Sequence, residues 1–214
     1  MMDTLFNTSQ KFILIKDMTD LLDFNTIEQE FNQLTWKENI ANKISSDMNF
    51  FDRPVFDKSR EHIINVCKNY LNRSLNLEPF YDDLRMTYSW GNITDPGHSH
   101  HDHVHPFSVV SGVLFLDDNV TNANLYIEAY MPDIPYFITK NKSYVALKQL
   151  LFDNNIDPNS VNNLKNHMVL FLSNAAHFVE KTDVQSQPRR SISFNTFWKG
   201  LTGVRQESLG SLIF

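Results

Sequence analysis

The order in which segment types follow one another limits this chain more than any other feature. Helix-patterned stretches come first, and strand-patterned stretches then run on without alternating helices. Lys11–Ile15 reads as a short strand. Asn25-Thr26-Ile27-Glu28 reads as a cap entering a helix that ends near Leu34, with Ile27, Phe31 and Leu34 on one face. Asp57 and Ser59 can cap a longer helix through about Leu71, in which Ile63, Ile64, Cys67, Tyr70 and Leu71 recur at helical spacing. From Asp83 the texture changes. Apolar, aromatic and β-branched runs predict strands at Leu84–Trp90, Ser111–Leu116, Asn124–Tyr130, Met168–Ser173 and Ser191–Trp198. Thr94-Asp95-Pro96-Gly97 is a turn signal, and Asp117-Asp118-Asn119 stops the strand before it. Residues 131–165 are irregular, with one helix expected near Tyr144–Phe152. This order predicts an α+β fold with an antiparallel barrel or double-sheet roll. A single domain is expected over 1–214, with a helical support region over 1–82 and a β core over 83–200 that contains the insertion 131–165.

Composition narrows the function classes. Hydrophobic residues make up 42% of the chain, enough for a sizeable core and against a disordered or fibrous chain. The formal charge is −6 and no basic run appears, which disfavours nucleic acid as a partner. Cys67 stands alone, so no internal disulfide can form, as expected for a reducing cytoplasm. Its place on the apolar helix face predicts a small core residue rather than a redox group. No basic segment precedes the first short apolar stretch, so no signal peptide is expected there. The apolar runs at Val109–Leu116 and Met168–Leu172 are too short to cross a bilayer as helices.

Five of the eight histidines fall at positions 98, 100, 101, 103 and 105. In an extended chain alternate residues share a face. His101, His103 and His105 are therefore expected on one side, and His98, His100 and Asp102 on the other. Two imidazoles two residues apart can grip one ion, each nitrogen about 2.0–2.1 Å from it. Two pairs compete. One is His103-x-His105. The other is His100-x-Asp102, which matches the His-x-carboxylate half of an iron facial triad. Either pair needs a further ligand. His177 follows the apolar strand and the small residues Asn174-Ala175-Ala176, a place from which it can enter a barrel mouth. His167 precedes that strand and is expected to cap or solvate its start.

Pro188-Arg189-Arg190 leads into the last strand. Ile192, Phe194 and Thr196 share the face of Arg190, while Ser191, Ser193 and Asn195 share that of Arg189. A consistently polar inward face suits a barrel that holds a charged small molecule. Arg189 would meet a carboxylate with its bidentate fork, and Ser191 would add a hydroxyl donor.

Taken together these residues resemble the 2-oxoglutarate/Fe(II)-dependent oxygenases, in a branch common in marine bacteria and their phages. The resemblance rests on Trp90-x-Asn92, Gly97, His103-x-His105-Pro106, Ser111-Gly112-Val113, the apolar strand ending at Ser173, His177, and Arg189 leading into Ser191–Asn195. It covers about Tyr88–Trp198. It implies a double-stranded β-helix (jelly-roll, cupin-like) core with supporting N-terminal helices. It also implies a dioxygenase that hydroxylates a C–H bond, with a protein side chain as the first expectation for the substrate. In that reading Fe(II) sits on His103, His105 and His177. The cosubstrate 2-oxoglutarate sets its far carboxylate on Arg189, and Trp90, Asn92 and Phe115 surround it. The location would be cytoplasmic, or the host cytoplasm for a phage-encoded chain. Two departures stand out: His103-x-His105 contains no carboxylate, and Lys165-Asn166-His167 stands where a Gly-Asp turn is expected. The insertion 131–165, carrying Tyr136 and Phe137, is expected to lid the site.

Two other readings remain open at this level. One is a three-histidine cupin-type metal dioxygenase without 2-oxoglutarate; the other is a non-catalytic jelly-roll binding or structural module. A zinc hydrolase ranks below both, because no HExxH-type motif places a carboxylate to activate water. Arg189 separates the 2-oxoglutarate reading from the cupin reading, since 2-oxoglutarate needs a cation opposite the metal.

Overall fold

The computed structural model describes residues 4–8, 11–75, 84–117, 125–128, 144–147, 164–181, 187–199, 201–202 and 212–213. The N-terminal part forms β1 (Thr4–Thr8), β2 (Lys11–Asp17), α1 (Phe24–Phe31), β3 (Trp36–Glu38), β4 (Lys43–Ser45) and α2 (Asp57–Leu75). Next come β5 (Leu84–Thr94), β6 (His100–His103), β7 (Val110–Phe115), β8 (Leu125–Glu128) and β9 (Tyr144–Ala146). The chain continues with β10 (His167–Leu172), β11 (His177–Val179) and β12 (Arg189–Trp198). A two-residue pair, Leu201–Thr202 with Leu212–Ile213, follows.

Two antiparallel sheets carry the architecture. The larger runs β1-β2-β10-β7-β12-β5-β4-β3, and the smaller runs β6-β11-β8-β9. Side chains alternate across the larger sheet with a period of two. Leu14, Met168, Leu170, Ile192 and Phe194 face α1 and α2, where they pack with Ile27, Phe31, Ile63, Cys67 and Tyr70. Ile13, Ile15, Phe115, Val169 and Phe171 face the smaller sheet and meet Leu125, Ile127 and Val179. The result is an α+β double-stranded β-helix with helices on one outer face. Gly112 is required by this packing. It pairs with both Phe194 and Leu170 on the neighbouring strands, and a Cβ there would overlap the Phe194 ring.

Several elements differ from the sequence-based expectation. The first helix starts earlier, because the Asp23 carboxylate accepts from the backbone N–H groups of Asn25 and Thr26. The N-terminal region is not only helical, since it supplies β1 to β4 at the two edges of the larger sheet. Tyr144–Ala146 is a strand rather than a helix start. It pairs with Tyr126–Glu128, and the ladder outweighs local helical preference. Leu147, which follows the strand, is helical and buried; residues 148–152 of that predicted helix lie outside the described residues, as do Tyr136 and Phe137 of the expected lid. Asn166 adopts φ 64°. It supplies the left-handed conformation that a glycine was expected to provide, and asparagine tolerates that region well. Among the described residues no helix is long and apolar enough to cross a membrane.

Candidate metal centre

The smaller sheet brings the histidines together. β6 and β11 run antiparallel with His103 opposite His177, and the register shifts so that His100 lies opposite Val179. His105 sits just beyond β6, anchored by its backbone N–H to the Ser173 carbonyl at 3.0 Å. One potential ligand nitrogen from each of His103, His105 and His177 lies within 4.8 Å of the others. Ring centroids are 4.3 Å apart for His103 and His177, and 4.9 Å for His103 and His105.

Hydrogen bonds orient two of these rings. His103 Nδ1 is 2.8 Å from the His101 carbonyl, and His177 Nδ1 is 2.9 Å from the Ala175 carbonyl. A carbonyl can only accept, so Nδ1 carries the hydrogen in both rings and Nε2 presents its lone pair. His105 Nε2 lies 3.1 Å from His177 Nε2. Burial first, and neighbouring imidazoles second, hold these rings neutral. His105 is drawn down to about 3, and His177 lies well below its usual value. Burial also lowers His103. Neutral imidazoles with free nitrogens are a donor set that suits a divalent transition metal.

The two-face division of the histidine segment does not hold. The register shift at β6 turns His100 to the same cavity as His103, with ring centroids 4.6 Å apart. Burial draws His100 down to about 3 as well. Asp102 departs from it and accepts a hydrogen bond from the Tyr144 hydroxyl at 2.9 Å. His100 and Asp102 are therefore not brought together as a ligand pair. His101 lines an outer groove beside His100, His103 and His105. His98 is exposed. His167 opens β10 opposite Asp17, with its Nδ1 3.0 Å from the Lys165 carbonyl.

The larger sheet supplies the opposite wall. Trp90, Asn92 and Thr94 of β5, Ser111, Val113 and Phe115 of β7, and Arg189, Ser191 and Ser193 of β12 line the cavity that His103, His105 and His177 close. The period-two face anticipated for β12 is observed as far as Asn195, where a β-bulge before Thr196 ends the regular alternation. Arg189 is 4% exposed, its guanidinium carbon lies 5.8 Å from the Phe115 ring centroid, and burial draws it down to about 10. Arg190 points the other way and bonds Asp117 at 2.7 Å, 5.9 Å from the Phe31 ring. Trp90 Nε1 donates to Asn92 Oδ1 at 3.2 Å, and Asn92 Nδ2 donates to Ser193 Oγ at 2.9 Å. A buried guanidinium facing the same cavity as three neutral imidazoles fits a metal with a dicarboxylate beside it. Two supporting groups escaped the sequence reading. Glu128 accepts the Ala176 N–H at 3.2 Å just before His177, and the Asn195 amide lies 2.9 Å from His105 Nδ1. Only the polar alternation of β12 hinted at Asn195.

Two sheets closing over a histidine-lined cavity place the protein in the double-stranded β-helix class, and solved structures agree. A Pseudomonas putida prolyl-4-hydroxylase is similar with a TM-score of 0.54 at 14% identity, over 88% of this chain and 93% of that one. The non-heme alpha ketoglutarate dependent epimerase SnoN from nogalamycin biosynthesis gives 0.59 at 11% identity, over 96% and 90%. HygX from Streptomyces hygroscopicus, with nickel and 2-oxoglutarate bound, gives 0.54 at 10% identity, over 94% and 91%. A comparison with curated protein sequences gave no match. The family profile described as "Putative 2OG-Fe(II) oxygenase" matches residues 88–195, more than half of the sequence, and the chain belongs to this family. It is a 2-oxoglutarate-dependent dioxygenase with Fe(II) as its metal. The cupin-type and non-catalytic readings, which lack 2-oxoglutarate, give way to that membership.

Proposed function

We propose that His103, His105 and His177 hold the iron, that Arg189 and Ser191 bind the far carboxylate of 2-oxoglutarate, and that the enzyme hydroxylates a C–H bond of a protein side chain. The observation that carries the ligand assignment is the cluster of three neutral imidazoles within 4.8 Å. Fe(II) and 2-oxoglutarate supply the oxidising chemistry when bound. The protein's part is to bind, orient and exclude water. Arg189 offers a planar two-pronged donor in a site where burial strengthens its pull on an anion. Phe115 packs against that guanidinium, while the Trp90–Asn92–Ser193 hydrogen bonds stiffen the wall next to it. A three-histidine set leaves one more positive charge on the iron than a set with a carboxylate does.

The prolyl-4-hydroxylase likeness supports a protein side chain as substrate. The structures named for nogalamycin biosynthesis and for hygromycin B mark the small-molecule alternative. A single domain over 1–214 is supported by strands from both ends of the chain meeting in one sheet. Cytoplasmic location is supported by the lone cysteine, Cys67, which lies buried in the core. Anaerobic titration with Fe(II) and 2-oxoglutarate tests the ligand assignment. The wild type should develop the charge-transfer absorption of the chelate, and His177→Ala should not. A full-strength band in His177→Ala would refute the assignment.

A further inference from the structure

We infer that His100 is a cosubstrate-binding residue: its imidazole, set beside the metal cluster but outside it, donates a hydrogen bond to the far carboxylate of 2-oxoglutarate and shares that carboxylate with Arg189. The inference rests on Arg189 receiving the far carboxylate, as proposed above.

Four imidazoles line the cavity, and the metal accounts for three of them. His103, His105 and His177 bring one nitrogen each within 4.8 Å of the others, and His100 is not a member of that group. Its ring is nevertheless only 4.6 Å from that of His103, centroid to centroid. The β6–β11 ladder explains both facts. His103 pairs with His177, and the register shift then sets His100 against Val179, past the ligand pair but still facing the cavity.

His100 lies toward the Arg189 end of the cavity. At the opposite end, His105 meets Trp90 with ring centroids 5.7 Å apart, and the Asn195 amide at 2.9 Å. Arg189 opens β12, at the other end of the strand's polar face from Asn195, and pairs with Thr94 of the cavity wall. The electrostatics agree with this order. The Arg189 charge is among the influences that keep His100 neutral, whereas burial and nearer neighbours account for His103, His105 and His177. A dicarboxylate that runs from the metal cluster to Arg189 therefore ends beside His100.

Hydrogen-bond accounting makes His100 the available donor. His103 and His177 commit their Nδ1 hydrogens to the carbonyls of His101 and Ala175. Trp90, Asn92 and Ser193 bond one another. Neither ring nitrogen of His100 has a hydrogen-bond partner among the described residues. A neutral imidazole carries one N–H, and nothing in the protein fixes which nitrogen of His100 holds it, so the ring can suit a ligand. A carboxylate only accepts, and its two oxygens offer about four lone-pair sites, so one guanidinium fork does not exhaust it. The N–H of His100 fills a site that Arg189 leaves open. Selection of a 2-oxo acid with a second carboxylate is thereby divided between the two residues.

Binding of two 2-oxo acids to the Ni(II)-loaded full-length protein, followed by anaerobic calorimetry, tests this. The probes are 2-oxoglutarate and 2-oxopentanoate, which has the same chelating end and a methyl group in place of the far carboxylate. His100→Ala should bind 2-oxoglutarate about 10- to 100-fold more weakly, the worth of a hydrogen bond to a charged group. Its affinities for 2-oxopentanoate and for Ni(II) should stay at wild-type strength, which also shows that the variant is folded. His100→Leu, which fills the space without a donor, should behave alike. Undiminished 2-oxoglutarate binding in either variant, an equal loss for both acids, or a weakened hold on Ni(II) would overturn the inference. Arg189→Met tests the reading beneath it, because it too should erase the preference for 2-oxoglutarate. Preference lost in Arg189→Met but kept in His100→Ala refutes the role of His100 and leaves Arg189 in place. Preference kept in Arg189→Met but lost in His100→Ala refutes the Arg189 assignment and leaves the carboxylate on His100.

Discussion

Replacing Arg189 by methionine should move stability and cosubstrate binding in opposite directions. Burial draws the guanidinium from 12.5 to about 10. Both folded and unfolded chains carry the charge below pH 10, so the full cost of burying it is present at neutral pH. At about 1.4 kcal/mol for each tenfold change, that cost is about 3 kcal/mol. Methionine removes it and still fills the space beside Phe115, while forfeiting a cation–ring contact worth about 0.5–2 kcal/mol. The net expectation is a metal-free, cosubstrate-free Arg189→Met protein more stable by about 1–2 kcal/mol, or a few degrees in Tm for a chain of this length. Cosubstrate should reverse the ranking. At 100 times its Kd, 2-oxoglutarate adds about 2.7 kcal/mol to a protein that binds it, and Arg189→Met should gain almost none. Urea unfolding of the metal-free proteins reads the first term, and urea unfolding in Ni(II) with and without 2-oxoglutarate reads the second. A variant that is less stable without cosubstrate yet still protected by it would refute the reasoning.

Two further outcomes follow from the same packing. The folded protein holds His100 and His105 near pH 3 and lowers His103 and His177, whereas unfolded histidine titrates near pH 6.5. Between those values the unfolded chain takes up protons that the folded chain refuses. The urea midpoint of the metal-free protein should therefore fall as pH drops from about 6.5 toward 3; a flat midpoint between pH 7 and 5 would contradict this. Gly112→Ala should destabilise by about 1–3 kcal/mol through overpacking against Phe194, and Phe194→Leu should recover part of the loss in the double variant. Thermal unfolding checks it, and additive losses in the double variant would contradict it.

Much of the β core could be read from patterning, because alternation along β5, β7 and β12 is a local property of extended chain. The same alternation separates Arg189 from Arg190 and predicts a polar wall at Ser191 and Ser193. It could not anticipate the edge strands β1, β3 and β4. These are short, and their strand character comes from hydrogen bonds to partners distant in sequence. Nor could it order the histidine segment, since alternation assumes a regular ladder and β6 shifts register against β11.

What the sequence by itself determined is the inventory: a histidine-rich segment, a later His177, a buried-facing arginine, and strands without intervening helices. Those follow from residue type and period. What the tertiary structure alone decided is which nitrogens converge and how they are held. His103 meets His177 through cross-strand pairing, Asp102 is drawn away to Tyr144, and Asn195 reaches His105 from a strand ninety positions later in the chain. Convergence of this kind depends on register and on the direction of buried hydrogen bonds. Both are set by the whole sheet rather than by any one segment.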